Sequence, residues 1–460
     1  MTTKFRRLLL SILITYSLCF CTGLSSAAKA FETHDITPGQ NPAIASDNKG
    51  GMHIVFIRDP HKKFDLDICY SQSTNGGSIW TEPVKIAVAG KNFSPNIRTN
   101  IAVESEGAID VVWGQEMYGN IAYIFFVRSI DNGHTWSEPL NISKITHNSD
   151  DCNAPALAIG PDNSIHVAWS YTNHPKYQYD ESQEKVTVDS DKSFVTAEGT
   201  AHIVTVSPGR SFKIITKHPT NPEALINGIY STSSADGGKM WHRNLPIRNN
   251  NAGPSTFNDP DIAVTADGTV HAIWMQVIYG STDKVYYAHK IGDSWSEPVI
   301  VSESIQAGSR PLICASGKEK IYITWADGSV ITSHTPSCSI WCTVKDKSEQ
   351  FSKPINICDS RQVYKLAAAA DQTGRAAIVW FGGISDPVQF WIYNFSIRII
   401  ANTINNCSDI VDLYTKLPTY GNVDAAISNN KVAIIWDSYN APLKLILLPL
   451  SQDSNLPKAR

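Results

Sequence analysis

The chain has 460 residues, with 42% hydrophobic and 18% charged, so it can bury a large core and is not disordered by composition. Net charge is -4, from 39 basic and 43 acidic residues, which gives no overall pull toward nucleic acid or an anionic membrane. Twelve Trp, 17 Tyr and 15 Phe with 28 Gly and 24 Pro point to many short strands and turns, and exclude a coiled coil, a polytopic membrane protein and a disulfide-dense miniprotein.

Residues 1–30 have the layout of a secretory signal peptide. Lys4, Arg6 and Arg7 precede an apolar run from Leu8 to Thr22, and Ala28-Lys29-Ala30 offers small residues for cleavage after Ala30. The alternatives are an N-terminal anchor, for which the run is short, and a lipoprotein modified at Cys21, where Phe20 is too large for a lipobox. The expected location is secreted, periplasmic or extracellular, with no integral membrane segment in the mature chain. Without the leader, Cys69, Cys152, Cys314, Cys338, Cys342, Cys358 and Cys407 remain. Their pairing stays open; Cys338 and Cys342 are close enough in sequence to suggest a local bridge. No His or Cys pair has zinc spacing, and no metal or cofactor is expected.

From residue 31 on, the chain repeats. The first unit is an apolar stretch, a turn, and an alternating strand that ends in an aromatic: Phe56, Trp113, Trp169, Trp274, Trp325, Trp380 and Trp436. Pro42, Pro155, Pro260 and Pro311 each stand fourteen residues before their aromatic. Intervals between the aromatics are 57, 56, 105, 51, 55 and 56.

A second unit follows the first. It reads Ser73, Asn75, Gly77 and Trp80; then Ser129, Asp131, Gly133 and Trp136; then Ser234, Asp236, Gly238 and Trp241. Worn copies sit at Gly292 with Trp295, and at Phe351. Asp or Asn bonds the amides of such a turn, Gly allows positive φ, and Trp packs beneath it.

Four short strands per copy cannot bury both faces alone. They stack radially, so the expected fold is an all-β propeller of four-stranded blades over 31–450, seven-bladed, with six and eight blades as alternatives. The long interval marks an insertion at about 175–222, with strand patterns at 185–188, 200–205 and 212–216. Residues 31–37 are expected to complete the last blade and latch the ring, leaving 451–460 as a polar tail.

The Ser-x-Asp-x-Gly-x-Thr-Trp pattern resembles the Asp-box, or BNR repeat, of the sialidase (neuraminidase) superfamily. The resemblance covers the whole mature chain. It implies a propeller whose Asp-boxes are structural and whose site lies on the opposite face, at the ring centre. Sialidases place an Arg-Ile-Pro motif before the first Asp-box and use three Arg for a carboxylate, a task suited to bidentate guanidinium groups. Here the aligned stretch is Gln40-Asn41-Pro42, so the first Arg is missing. The resemblance also places Asp65 or Asp67 near the family's acid/base Asp, and Glu116 with Tyr118 as an imitation of its Tyr/Glu pair.

Just before the inner-strand Pro, or its equivalent, the seven copies carry Asn41, Arg98, Ala154, Asp259, Arg310, Lys365 and Asn422. Arg98, Arg310 and Lys365 are candidates to hold an anion, although a one-residue offset on a strand reverses side-chain direction. Loops after the second strands add Tyr171, Gln276, Tyr279, Asp327, Asp437 and Tyr439, aromatic and polar groups of the kind that bind sugars. His53, His166 and His271 recur three residues before the aromatic and read as a repeated structural hydrogen bond. The leading expectation is recognition of an extracellular or surface glycan or glycoconjugate, anionic ones included, at the central face. A sialidase-type hydrolase with a rearranged site and a protein-interaction scaffold are the alternatives.

Overall fold

The computed structural model describes residues 33–59, 65–91, 97–117, 121–143, 150–173, 194–196, 199–207, 210–216, 226–242, 245–251, 255–278, 282–302, 309–317, 319–328, 338–347, 350–358, 362–384, 392–401, 407–408, 410–413, 421–437 and 442–450. The leader at 1–30, the tail at 451–460, most of 175–222, and Tyr118, Tyr279 and Tyr439 lie outside them.

The fold is a seven-bladed β-propeller. Blade 1 runs Gln40–Ser46, Met52–Arg58, Asp65–Ser73 and Val84–Lys91, paired antiparallel in that order. The later blades start on Thr99–Val103, Asp150–Ile159, Ser255–Val264, Ser309–Ser316, Gln362–Ala370 and Val423–Ser428. Strand Thr33–Pro38 pairs antiparallel with Pro442–Pro449, so the N-terminal segment supplies the outer strand of blade 7. Within the insertion, Phe194–Thr196, Gly199–Ser207 and Arg210–Thr216 form a separate three-stranded sheet.

The core lies between blades. Among the described residues it divides into seven apolar clusters, each drawn from two neighbouring blades, one cluster for every joint of the ring. The aromatics that end the second strands fill these joints: Phe56, Trp113, Trp169, Trp274, Trp325, Trp380 and Trp436 are all buried. Burying one such ring contributes roughly 2–3 kcal/mol, so the recurrence every fifty-odd residues is what stacks the blades.

The three hairpin turns share one hydrogen-bond pattern. The Ser129 hydroxyl donates to Asp131 Oδ1 at 2.9 Å, the Gly133 N–H donates to Ser129 Oγ at 2.8 Å, and the Trp136 indole donates to the Gly133 carbonyl at 3.1 Å. The same bonds hold Ser73, Asn75, Gly77 and Trp80, and Ser234, Asp236, Gly238 and Trp241. Each turn also docks on the preceding blade. Trp136 packs edge-on against Tyr70 at 5.1 Å, and Trp241 against Phe126 at 5.0 Å.

Cys338 and Cys342 do not form the local bridge that their spacing suggests. Cys342 lies on strand Ser339–Lys345 and Cys338 just before it, both unbonded. Four extended residues span about 13 Å, far beyond the ~7 Å Cα limit for a disulfide.

Candidate functional site

The inner strands deliver their first residues to the axis of the ring. Register shifts interrupt the pairing at this level in blades 1, 3, 4, 5 and 6. Asn41, Ala154 and Asp259 there have φ of 50°, 53° and 51°. These are β-bulges, and a bulge re-aims the side chain. In blades 5 and 6 the shifts fall beside Arg310 and Lys365, so there a residue one position off the regular alternation still reaches the channel.

Arg98 of blade 2, Arg310 of blade 5 and Lys365 of blade 6 line one cavity of about 380 Å³ at the mouth, with Asn41, Asn422, Asp261 and Asp424. Arg98 Nη2 is 2.6 Å from Asp259, and Arg310 Nη2 is 3.7 Å from Asp261. Arg98 Nη1 and Arg310 Nε are buried with no hydrogen-bond partner among the described residues. Lys365 is exposed and has no ion pair among the described residues. Crowding that strips part of its hydration lowers the pKa of Lys365, and Arg98 lowers it further. Burial, and then Arg310, lower that of Arg98. The cations therefore sense one another across the mouth.

Two residues deeper, the same strands carry acceptors that tie blades together. Asp261 Oδ2 accepts the Ile313 N–H at 3.0 Å, and Asp424 Oδ2 accepts the Ile44 N–H at 2.9 Å. Burial raises the pKa of Asp261, and pushes that of Asp424 up to about 6. These two carboxylates were not among the sequence candidates. Their signal was available, since both stand two positions after the pre-proline column, like Asn100, which donates to the Pro155 carbonyl at 2.7 Å.

The other described candidates take different places in the blades. Asp437 is buried and ties the ring closed, with its carboxylate accepting the backbone N–H groups of Asn41 and Asn422. Tyr171 is buried between blades 2 and 3 and packs edge-on against Tyr230 at 5.0 Å. Gln276 and Asp327 are half-buried at the ends of second strands, paired in register with Lys284 and Ser339. Of Asp65 and Glu116 the backbone alone is described, on the third strand of blade 1 and the second of blade 2. Nearby Asp67 pairs with Lys85 at 2.6 Å.

The histidines hold the blades internally. His53 Nδ1 meets the Tyr70 hydroxyl at 2.7 Å, and His271 Nδ1 meets that of Tyr287 at 2.8 Å. His166 Nε2 meets Ser164 Oγ at 2.8 Å. Among the described residues no helix is long and apolar enough to cross a membrane.

No protein-family model matches the sequence, and no curated protein does. Among solved structures, the chain is similar to a protein of unknown function from Dyadobacter fermentans, at 13% identity over 80% of this chain and 98% of that one, with a TM-score of 0.48. It is similar to a PL25 ulvan lyase at 13% identity over 83% of each chain, TM-score 0.49. It is also similar to the leech intramolecular trans-sialidase, at 10% identity over 92% of each chain, TM-score 0.46.

Proposed function

We propose that the protein binds the acidic group of an extracellular or surface glycan at the central mouth of the propeller. The observation that carries this is the convergence of Arg98, Arg310 and Lys365, from three separate blades, on one cavity. Buried guanidinium donors without partners, next to an exposed ammonium, suit a carboxylate or sulfate. Asp259 and Asp261 hold the two Arg in place, as orienting carboxylates do. The Ser-Asn/Asp-Gly-Trp turns are read as Asp-boxes that build the wall. Residues 1–30 are read as a signal peptide that exports the chain to where such glycans are found.

Two assays on purified mature protein test this: a screen of acidic and neutral glycans, and turnover of a fluorogenic sialoside. Binding of acidic glycans that falls about tenfold or more in Arg310→Ala supports the reading, because a charge-assisted bond is worth roughly 1.5–3 kcal/mol. Sialoside turnover that vanishes in the same variant would add hydrolysis at this mouth. Acidic and neutral glycans bound equally, with no effect of Arg310→Ala, would overturn it.

A further inference from the structure

The joints that follow blades 1, 2 and 4 share one packing rule; at the equivalent third-strand position blades 5, 6 and 7 carry Cys342, Ile397 and Leu445, and blade 3 carries neither a ring nor an apolar side chain. The residue concerned lies on the third strand, opposite the second-strand residue two places after the recurring His. In blade 1 it is Tyr70, in blade 2 Phe126, and in blade 4 Tyr287. Each ring fills its joint and meets the hairpin aromatic of the following blade: Trp136, Trp241 and Phe351, all edge-on at 5.0–5.1 Å. Tyr70 and Tyr287 also bond Nδ1 of His53 and His271, at 2.7 and 2.8 Å.

In blade 3 the same position is Ser231, opposite Ala168, with His166 opposite Ser233. The His is kept and the ring it would bond is gone. Trp295 of blade 4 leans in, and its indole donates to Ser231 Oγ at 3.0 Å. It does not fill the joint. A cavity of about 170 Å³ remains, lined by His166, Ser231, His242, Leu245, Lys290 and Trp295. His166 is anchored through Nε2 on Ser164, so Nδ1 is the nitrogen left for the joint. A cavity of ~150 Å³ is known to hold a benzene ring.

We infer that the joint between blades 3 and 4 is a binding site for a phenolic ring, seated where Tyr70 and Tyr287 sit in the sister joints, with its hydroxyl on His166 Nδ1 and its face toward Trp295. The ring is either a free phenol or a tyrosine side chain presented by a peptide, since both offer the same group. The site is distinct from the axial mouth and stands without it.

The probe is p-cresol, the tyrosine side chain as a free molecule, titrated into the full mature chain by calorimetry. Saturable binding is expected, about fivefold tighter than toluene, which lacks the hydroxyl. Ser231→Tyr supplies the ring in place, so it is expected to abolish p-cresol binding and raise Tm. If that variant does not fold, shifts of the His166 ring resonances with p-cresol in the wild-type chain give the same answer. N-acetyltyrosinamide binding more tightly than p-cresol would assign the ring to a peptide; p-cresol alone binding would assign it to a small phenol. No saturable p-cresol binding, or equal binding to Ser231→Tyr, overturns the proposal.

Discussion

Asp437 accepts the backbone N–H of Asn41 at 2.7 Å, across 396 residues of sequence. The same carboxylate takes the N–H of Asn422, and the Asn422 side-chain amide donates to Asn41 Oδ1. Blades 7 and 1 are thus joined at the axis by polar bonds, and at the rim by strand Thr33–Pro38. Closure of the ring is therefore doubled, once at the axis and once at the rim.

Asp437→Ala leaves two partly buried amides without an acceptor. Each unsatisfied donor costs about 1–3 kcal/mol, so a loss of roughly 2–6 kcal/mol is expected. Chemical denaturation of wild type and variant checks this. A loss below 0.5 kcal/mol would show that the latch strand alone closes the ring.

The hairpin turns test inter-blade docking. Gly133 has φ of 82°, and a Cβ there would overlap the Tyr70 ring of the preceding blade. Gly133→Ala therefore combines left-handed strain with overpacking, for roughly 2–4 kcal/mol. Gly107, with φ of 94° and open space around its Cβ position, is the control. Gly107→Ala carries the backbone strain alone and is expected to cost less. Equal unfolding midpoints for the two variants would remove the docking contribution.

Much of this architecture was legible from residue spacing. A ring of joints needs one large aromatic per joint, so Phe56 and its six Trp counterparts announced both blade number and core. The latch was legible because the last blade ran out of chain one strand short. The site was only half legible. Arg98, Arg310 and Lys365 shared a column, but the register shifts beside Arg310 and Lys365, at 309–312 and 363–365, appear only once the strands are paired. The structural task of Asp437 was not legible, because its partners, Asn41 and Asn422, come together only once the ring closes. The buried cluster in which Arg128 pairs with Glu104 and with Asp110 at 2.9 Å left no repeat signature, because among the described residues it occurs in blade 2 alone.

That cluster carries a pH signature. Asp110 is fully buried, and burial is the main force pushing its pKa up, with Glu104 adding to it. The folded state therefore keeps a proton that the unfolded chain releases near 3.8. Stability is lost as pH rises from that value toward the raised one. Asp110→Asn removes the titration and keeps a donor for Glu104. Stability of this variant is expected to exceed that of wild type increasingly as pH rises. Parallel stability curves for the two proteins would contradict it.

The histidines act in the opposite sense. Burial holds the pKa of His166 and His271 down at about 4, below the ordinary 6.5. Between these values the unfolded chain binds protons that the folded chain refuses, so their contribution is lost as pH falls from 6.5 toward 4. His271→Gln keeps hydrogen-bonding atoms without the titration. Its stability is expected to fall less steeply than wild type over that range, in urea titrations at pH 7, 6 and 5. An unchanged slope would show that His271 is not desolvated as its contacts with Tyr287 and Thr265 imply.

The axial mouth joins this titration to binding. Asp424 lines the cavity, and its pKa is pushed up to about 6 by burial. Asp261 is raised for the same reason. Above about 6 the Asp424 carboxylate offsets the charge of Arg98, Arg310 and Lys365; below it, protonation of Asp424 leaves the cations in excess. Affinity for a sulfated glycan, whose own charge does not change in this range, is expected to rise several-fold from pH 7 to pH 5. Asp424→Asn fixes the protonated charge state and keeps an oxygen for the Ile44 N–H. It is expected to bind at pH 7 about as tightly as wild type binds at pH 5, with a flattened pH profile. Lys365→Ala is expected to weaken binding at both pH values, and more so at low salt, because its ammonium is exposed and screened by ions. An Asp424→Asn profile that follows wild type would place the anion away from Asp424, and with it away from the floor of this mouth.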